Sequence, residues 1–206
     1  SAEANRGRRA AKQSAVVIEE SKRERVRGRL LGLMPKAARV AEIGVWEGDF
    51  SKRIVDICEP AELHLIDPWL YQPEFGNTGF GRKKNEHLME AKYQGVVERF
   101  KDEPRVKVHR ATSDVALNSL PDGALDWVYI DGNHNEPFIG QDIALCLRKV
   151  KHDGIICGDD FNWMSDAQGA PVKTAVEAAL AELGDQAELQ LMANQYIIRL
   201  KRPASA

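Results

Sequence analysis

Apolar residues fall into short β-branched runs separated by stretches with helical spacing, and the two alternate along most of the chain. The first run, Ala38 to Val45, leads to Phe50, Ile54, Val55 and Cys58 at helical spacing, closed by Pro60. Leu63 to Ile66, Val106 to Arg110, Leu125 to Ile130 and Gly154 to Cys157 repeat the strand pattern. Helices are expected between them from Asn85 to Phe100, a short one from about Ser113 through Leu120, and one from Glu136 to Val150. A last helix, Val172 to Leu183, precedes two short strands, Glu188 to Met192 and Tyr196 to Leu200. That pair is too closely spaced for a crossover and predicts an antiparallel hairpin at one edge. Five β-α alternations predict an α/β fold, a mostly parallel seven-stranded sheet with helices on both faces. Ahead of it, a helix is expected from Ala15 to Leu33, with disorder over about the first 13 residues. The division is then a basic extension and helix over 1–36 and one domain over 37–202.

The organising stretch runs from Val40 to Phe50, a buried strand entering a glycine turn and then a helix. Gly44 and Gly48 bracket the turn, where a missing Cβ lets backbone approach a ligand. Asp67 ends the second strand, where a carboxylate can accept hydrogen bonds from a ribose diol. The unit reads as a cradle for a nucleoside-bearing cofactor. A dinucleotide fold wants G-x-G-x-x-G, with backbone close to a pyrophosphate at the helix N-terminus. Here Trp46 stands at the middle glycine position, and Glu47 and Asp49 open the helix. These acids disfavour a pyrophosphate and a nicotinamide-dependent oxidoreductase, and they suit a cationic ligand such as an ammonium or sulfonium. Glu42, ionisable within an apolar strand, points the same way. An ordinary βα unit with Glu47 and Asp49 solvated is the competing reading.

Charge changes the picture at the N-terminus. Residues 1–36 hold ten Lys or Arg against four Glu, so the rest of the chain is acidic. Their alternation with Glu19, Glu20 and Glu24 fits a solvated helix face, with Val16, Val17, Val26, Leu30 and Leu31 left for packing. No aromatic is interleaved for base stacking, which disfavours nucleic acid. This helix is free either to cover the site or to build a homo-oligomer. Cys58, Cys146 and Cys157 lack zinc spacing and read as buried thiols of a reducing compartment. No apolar run reaches the roughly 18 residues of a membrane span. No signal-peptide core is apparent, so no membrane partner and a cytoplasmic location are expected. Residues 70–83 form a long loop carrying Tyr71, Phe75 and Phe80 just after Trp69, read as a lid or substrate wall, with a mobile connector as the alternative.

Ligands of an open α/β sheet bind beyond the carboxyl ends of its strands. Those ends present Glu42 and Gly44, Asp67, Ser113, Asp131 to His134, and Asp159 with Asp160. Asp131, Asp159 and Asp160 converging on one rim repel unless a cation or proton intervenes. Hard oxygen ligands suggest Mg²⁺, while a helix cap or Asx-turn remains the alternative for each acid. Adjacent Asp159 and Asp160 can share one ion only if the chain bends there.

Taken together, Ala41-Glu42-Ile43-Gly44-Val45-Trp46-Glu47-Gly48, Leu65-Ile66-Asp67-Pro68-Trp69, Tyr129-Ile130-Asp131-Gly132-Asn133-His134 and Gly158-Asp159-Asp160-Phe161 resemble the class I S-adenosylmethionine-dependent methyltransferases. The similarity spans about residues 38 to 200. It is nearest the branch with metal-dependent, macrocin-type sugar O-methyltransferases, and it implies a Rossmann-like fold. It further implies that Glu42, Gly44, Trp46 and Gly48 shape the cofactor pocket with Asp131, and that Asp67 binds the ribose. Trp69 and Ser113 would lie near the adenine, and Asp131, Asp159 and Asp160 would hold Mg²⁺. Those sugar enzymes tend to carry an aspartate base two residues after the first metal ligand, where this chain has Asn133. His134 is the substitute, its pKa suiting general-base work near neutrality, with a structural or adenine-contacting histidine as the alternative. The activity implied is methyl transfer to oxygen of a small-molecule or glycan acceptor. Its rivals are a metal-independent small-molecule methyltransferase and a non-catalytic interaction module built on the basic helix.

Overall fold

The computed structural model describes residues 20–204. The disorder expected before residue 14 and the first turn of the N-terminal helix lie outside the described residues. The described helix, α1, is Lys22–Gly32, capped by the Ser21 hydroxyl, which accepts from Glu24 N at 3.2 Å. There follow β1 (Arg39–Ile43), α2 (Asp49–Cys58), β2 (Glu62–Asp67), α3 (Met89–Phe100), β3 (Val106–Arg110) and α4 (Ser113–Asn118). The chain continues with β4 (Leu125–Ile130), α5 (Phe138–Lys149), β5 (Val150–Gly158), α6 (Pro171–Leu183), β6 (Ala187–Met192) and β7 (Gln195–Leu200). The seven strands form one sheet in the order β3-β2-β1-β4-β5-β7-β6. The first five are parallel, and β7 runs antiparallel to both β5 and β6. This is the α/β architecture expected from the sequence, terminal hairpin included.

The period-two alternation of side chains explains how the sheet carries a core on each face. Val40, Leu63, Leu65, Trp127, Tyr129 and Ile197 pack with Leu30, Leu31, Ile54 and Val96 from α1, α2 and α3. Ala41, Ile43, Val128, Ile130 and Ile156 turn the other way, onto Leu117, Ile143, Cys146 and Val176 from α4, α5 and α6. All three cysteines are buried free thiols. Among the described residues no helix is long and apolar enough to cross a membrane.

Two boundaries differ for reasons visible in the packing. The helix expected from Asn85 opens as a 3₁₀ stretch, Lys83–Leu88, and becomes α-helical only at Met89, the first buried residue of α3. Its charged and polar start gives no apolar stripe to hold an α-helix against the sheet. Strand β5 begins at Val150, directly at the end of α5, rather than at Gly154. The register slips there, with Leu125 opposite Val150 and Trp127 opposite Ile155, so exposed Lys151, His152 and Asp153 bulge out of the strand. A polar bulge reads as a turn in sequence although the strand passes through it.

Leu65 lies fully buried in β2, between β1 and β3. Leu65→Ala is expected to cost about 2–5 kcal/mol, lowering the urea midpoint at an unchanged m-value. A cost below about 1 kcal/mol would contradict this packing.

Candidate active site

The strand order reverses between β1 and β4, and there the loops after the two strands diverge to open a crevice. Backbone hydrogen bonds fix its floor: Asp131 N donates to Ile43 O at 2.7 Å and Gly44 N to Ile66 O at 2.9 Å. Gly44 has φ +85°, and a Cβ on it would sit 2.1 Å from the Asp131 carbonyl oxygen, so only glycine allows this approach. Gly48, at φ +81°, is the N-cap of α2 and packs beside Phe100. Trp46 between them also takes a left-handed conformation, at φ 60°.

Asp67 holds that turn. Its Oδ2 accepts from Val45 N at 2.9 Å and Trp46 N at 3.1 Å, and its Oδ1 accepts from Trp69 N at 2.7 Å. Burial raises the Asp67 pKa, the three N–H donors opposing it. The carboxylate expected to meet a ribose therefore first shapes the turn, while still lining the crevice. Trp69 is placed differently from expectation. It is buried against Tyr93, its indole N–H donates to Trp46 O at 2.9 Å, and it does not line the crevice. It braces the strained Trp46 from behind.

The crevice encloses about 820 Å³. Glu42, Gly44, Trp46, Asp67, Ser113 and Asp131 line it together, as the sequence motifs imply; Gly48 does not and acts through the turn. Phe75, Phe80 and Phe138 complete an aromatic wall, Phe75 and Phe138 meeting edge to face at 5.2 Å. The aromatic loop is tied down where Asn77 Nδ2 donates to Asn135 Oδ1 at 2.9 Å, which favours the wall over the connector reading. Ser113 Oγ hydrogen-bonds Asp142, a buried acid on α5 that also lines the crevice. Burial lifts the Asp142 carboxyl to about 6 against that bond. The signal for Asp142 was present, since it interrupts the apolar stripe of Ile139, Ile143 and Cys146.

The acidic rim is where the structure departs most from the sequence reading. Asp159 is buried, and its Oδ1 accepts from Gln195 Nε2 at 2.6 Å and Asp160 N at 2.7 Å. Its Oδ2 accepts from Arg23 Nε at 2.8 Å and lies 3.0 Å from Arg27 Nη2. Arg27 Nη2 also bonds Asp131 Oδ2. The cations that relieve the repulsion among these acids are thus guanidinium groups of α1. The expectation of a solvated charged face on that helix is corrected: Arg27 is buried, its planar guanidinium carbon 4.8 Å from the Phe50 centroid and 5.7 Å from that of Tyr129. Arg27 stands in phase with Leu30, Leu31 and Met34, a charge within an apolar stripe that sequence reasoning passed over. Of the two roles left open for this helix, its described part covers the crevice.

The chain does bend after Asp159, because Asp160 has φ +63°. The bend sends the two acids to different partners. Asp160 Oδ2 lies 3.0 Å from His134 Nε2, and Asp131, His134 and Asp160 bring ligand atoms within 4.8 Å of one another. The expected metal set of Asp131, Asp159 and Asp160 is therefore not assembled as such: His134 stands in the place of Asp159. Burial lowers the His134 pKa, but its bond to Asp160 and the charges of Asp160, Asp131 and Asp159 outweigh this and raise it. Asp160 is correspondingly lowered, His134 and the two arginines outweighing its burial. Asp131 is raised, burial exceeding the pull of Arg27.

Glu42 is 1% exposed, and its Oε2 accepts from Ser51 Oγ at 2.5 Å. Burial pushes its carboxyl up to about 8, with Ser51 and Arg27 pulling it down. Between the ordinary carboxylate range and pH 8 the unfolded chain has released a proton that the folded chain keeps, so Glu42 makes stability fall as pH rises through that window. Glu42→Gln is expected to flatten this fall. Thermal melts of both proteins at pH 5 and pH 8 measure it, and an equal drop in both would contradict the assignment.

A sequence-family profile described as a methyltransferase domain matches residues 41–161. No curated protein sequence matches the chain significantly. Solved structures do. The cofactor-bound Rv0187 protein from MTB superposes with a TM-score of 0.61 at 17% identity, covering 91% of this chain and 84% of its own. The SAH-bound methyltransferase PaMTH1 of Podospora anserina gives a TM-score of 0.59 at 18% identity, with 88% and 80% covered. The O-methyltransferase TomG of Streptomyces achromogenes, involved in tomaymycin synthesis and solved with SAM, gives 0.56 at 18% identity, with 85% and 79% covered. At these identities the structural matches speak for the fold, whereas the profile covers more than half of the sequence, including the Gly44 turn, Asp67, Asp131 and Asp160. The chain belongs to the methyltransferase-domain family.

Proposed function

We propose that this chain transfers the methyl group of S-adenosylmethionine to a hydroxyl oxygen of a small molecule, a sugar or a similar polyol. The donor half rests on the crevice at the Gly44 turn, with Asp67 and Ser113 beside it. The acceptor half rests on one observation: His134 lines that crevice next to Asp131 and is paired with Asp160 behind it. Transfer is an in-line displacement: the acceptor oxygen forms a bond to the methyl carbon as the carbon–sulfur bond breaks, and the sulfonium becomes a neutral thioether. Holding oxygen and methyl in line supplies much of the acceleration. His134 takes the hydroxyl proton at its ring nitrogen, and Asp160 orients the ring and stabilises the imidazolium that forms. The aromatic wall of Phe75, Phe80 and Phe138 offers the apolar face of a sugar ring a surface to lie on and excludes water from the reacting atoms.

A second reading is favoured by the clustering of Asp131, His134 and Asp160 within 4.8 Å. Two carboxylates and an imidazole suit a divalent ion such as Mg²⁺ or Mn²⁺. When bound, such an ion would lower the pKa of an acceptor hydroxyl. Against it stands Arg27, already bonded to Asp131.

Calorimetry is expected to show binding of S-adenosylmethionine and none of NAD; binding of NAD alone would overturn the proposal. With an accepted polyol in hand, His134→Ala is expected to lower kcat by about 10²–10⁴-fold and to leave the donor Kd unchanged. Loss of activity with chelator, restored by Mg²⁺ or Mn²⁺, would replace the proton-transfer role of His134 by the metal reading.

A further inference from the structure

One guanidinium nitrogen stands where an ion shared by two acids of the rim would have to stand. Arg27 Nη2 is hydrogen-bonded to Asp131 Oδ2 and lies 3.0 Å from Asp159 Oδ2, so it bridges the two carboxylates. Arg23 reinforces it, its Nε donating to the same Asp159 oxygen at 2.8 Å and its Nη2 lying 3.8 Å from Asp131 Oδ2. The other oxygen of Asp159 is committed as well, to Gln195 Nε2 and Asp160 N. Gln195 is 1% exposed, and Tyr129 Oη donates to its Oε1 at 2.7 Å, which fixes the amide with its nitrogen toward Asp159. Asp159 is therefore a buried acid whose two oxygens both accept from donors of the protein itself.

These arginines are not loose surface charges. Arg27 lies one helical turn before Leu30 and Leu31, which are fully buried, so drawing it off the acids means pulling α1 from the core. Charge points the same way. Asp131, Asp159 and Asp160 face two guanidiniums and the His134 ring bonded to Asp160. A dication brought into that set would meet two fixed positive charges at close range, with no free pair of acids to offset them. We propose that α1 supplies the cation of this rim: Arg23 and Arg27 occupy the position between Asp131 and Asp159 and exclude a divalent ion from it, and the acids become a metal site only when the bridging guanidinium is removed. Both acids lie within the residues matched by the methyltransferase-domain profile and both arginines lie outside it, so the matched domain taken alone keeps the acids and loses their cations. The proposal bears on the metal reading above and is independent of which acceptor is methylated.

Mn²⁺ is the probe, because oxygen ligands with one imidazole suit it. Its binding to the full chain is followed by calorimetry and by the thermal midpoint. Wild-type protein is expected to show no Mn²⁺ binding tighter than about 1 mM and no rise in Tm. Arg27→Met is expected to melt below wild type, since it leaves buried carboxylates unpaired. It is also expected to bind Mn²⁺ at least about tenfold tighter than wild type, the ion restoring part of the lost midpoint. Asp159→Asn added to Arg27→Met is expected to abolish both gains. Arg27→Lys, whose single ammonium lacks the planar fork, is expected to show a smaller gain. Micromolar Mn²⁺ binding by wild type that Asp159→Asn removes overturns the proposal. So does a folded Arg27→Met that binds Mn²⁺ no better than wild type. If Arg27→Met shows no cooperative transition, Arg27→Lys decides by the same comparison. S-adenosylmethionine binding, measured on the same samples, tests the donor reading separately: its absence from wild type defeats that reading and leaves the Mn²⁺ comparison to judge this one.

Discussion

The site depends on one close approach of backbone to backbone. Where β1 ends, Gly44 lies against the Asp131 carbonyl with no room for a methyl group. That contact ties the loop after β1 to the loop after β4 at the reversal of strand order. It brings the glycine turn next to an acidic rim. Asp67 then fixes the turn with three backbone hydrogen bonds, and Trp69 supports the left-handed Trp46 from beneath. Each of these elements is in place because β1, β2 and β4 pair in register, which the alternating apolar residues of those strands enforce.

The parts of the structure governed by periodicity were the legible ones. β3 and β4 were read with their observed ends, because each is a short apolar or alternating run bounded by turn residues. Reading failed where a residue serves something distant in sequence. Trp69 looked like a cofactor contact because it follows Asp67, yet its indole answers a carbonyl in the preceding turn. Arg27 looked solvated because charged residues surround it in sequence, yet its partners are Asp131 and Asp159, more than a hundred positions away. Asp159 and Asp160, adjacent in sequence, were grouped as co-ligands, yet the bend between them divides their work. Local pattern carries strand ends and helix faces; it does not carry pairings across the sheet. Two clues were present all the same, Arg27 and Asp142, each an ionisable residue set into an apolar stripe.

The two helices that touch the rim contribute in different ways. α2 supplies Ser51 and Phe50, which set the environment of Glu42 and of Arg27. α1 supplies positive charge. Taking Arg27 away would leave buried carboxylates uncompensated, the kind of change that costs about 3–5 kcal/mol in measured cases. The helix is for this reason part of the domain electrostatically as well as through Leu30 and Leu31. The described residues before β1 are in that sense inseparable from the sheet they precede.

The neutralised rim bears on how an acceptor arrives. Three aspartates at one mouth, left bare, would project a negative field that draws cations in and turns anions away over a Debye length. With Arg23 and Arg27 bonded to Asp131 and Asp159, and His134 against Asp160, that field is largely cancelled at its source. That rim is then not an electrostatic funnel. Under the proposed activity the rim would give an acceptor little steering, its association would respond little to salt, and selection would fall to contact inside the aromatic wall.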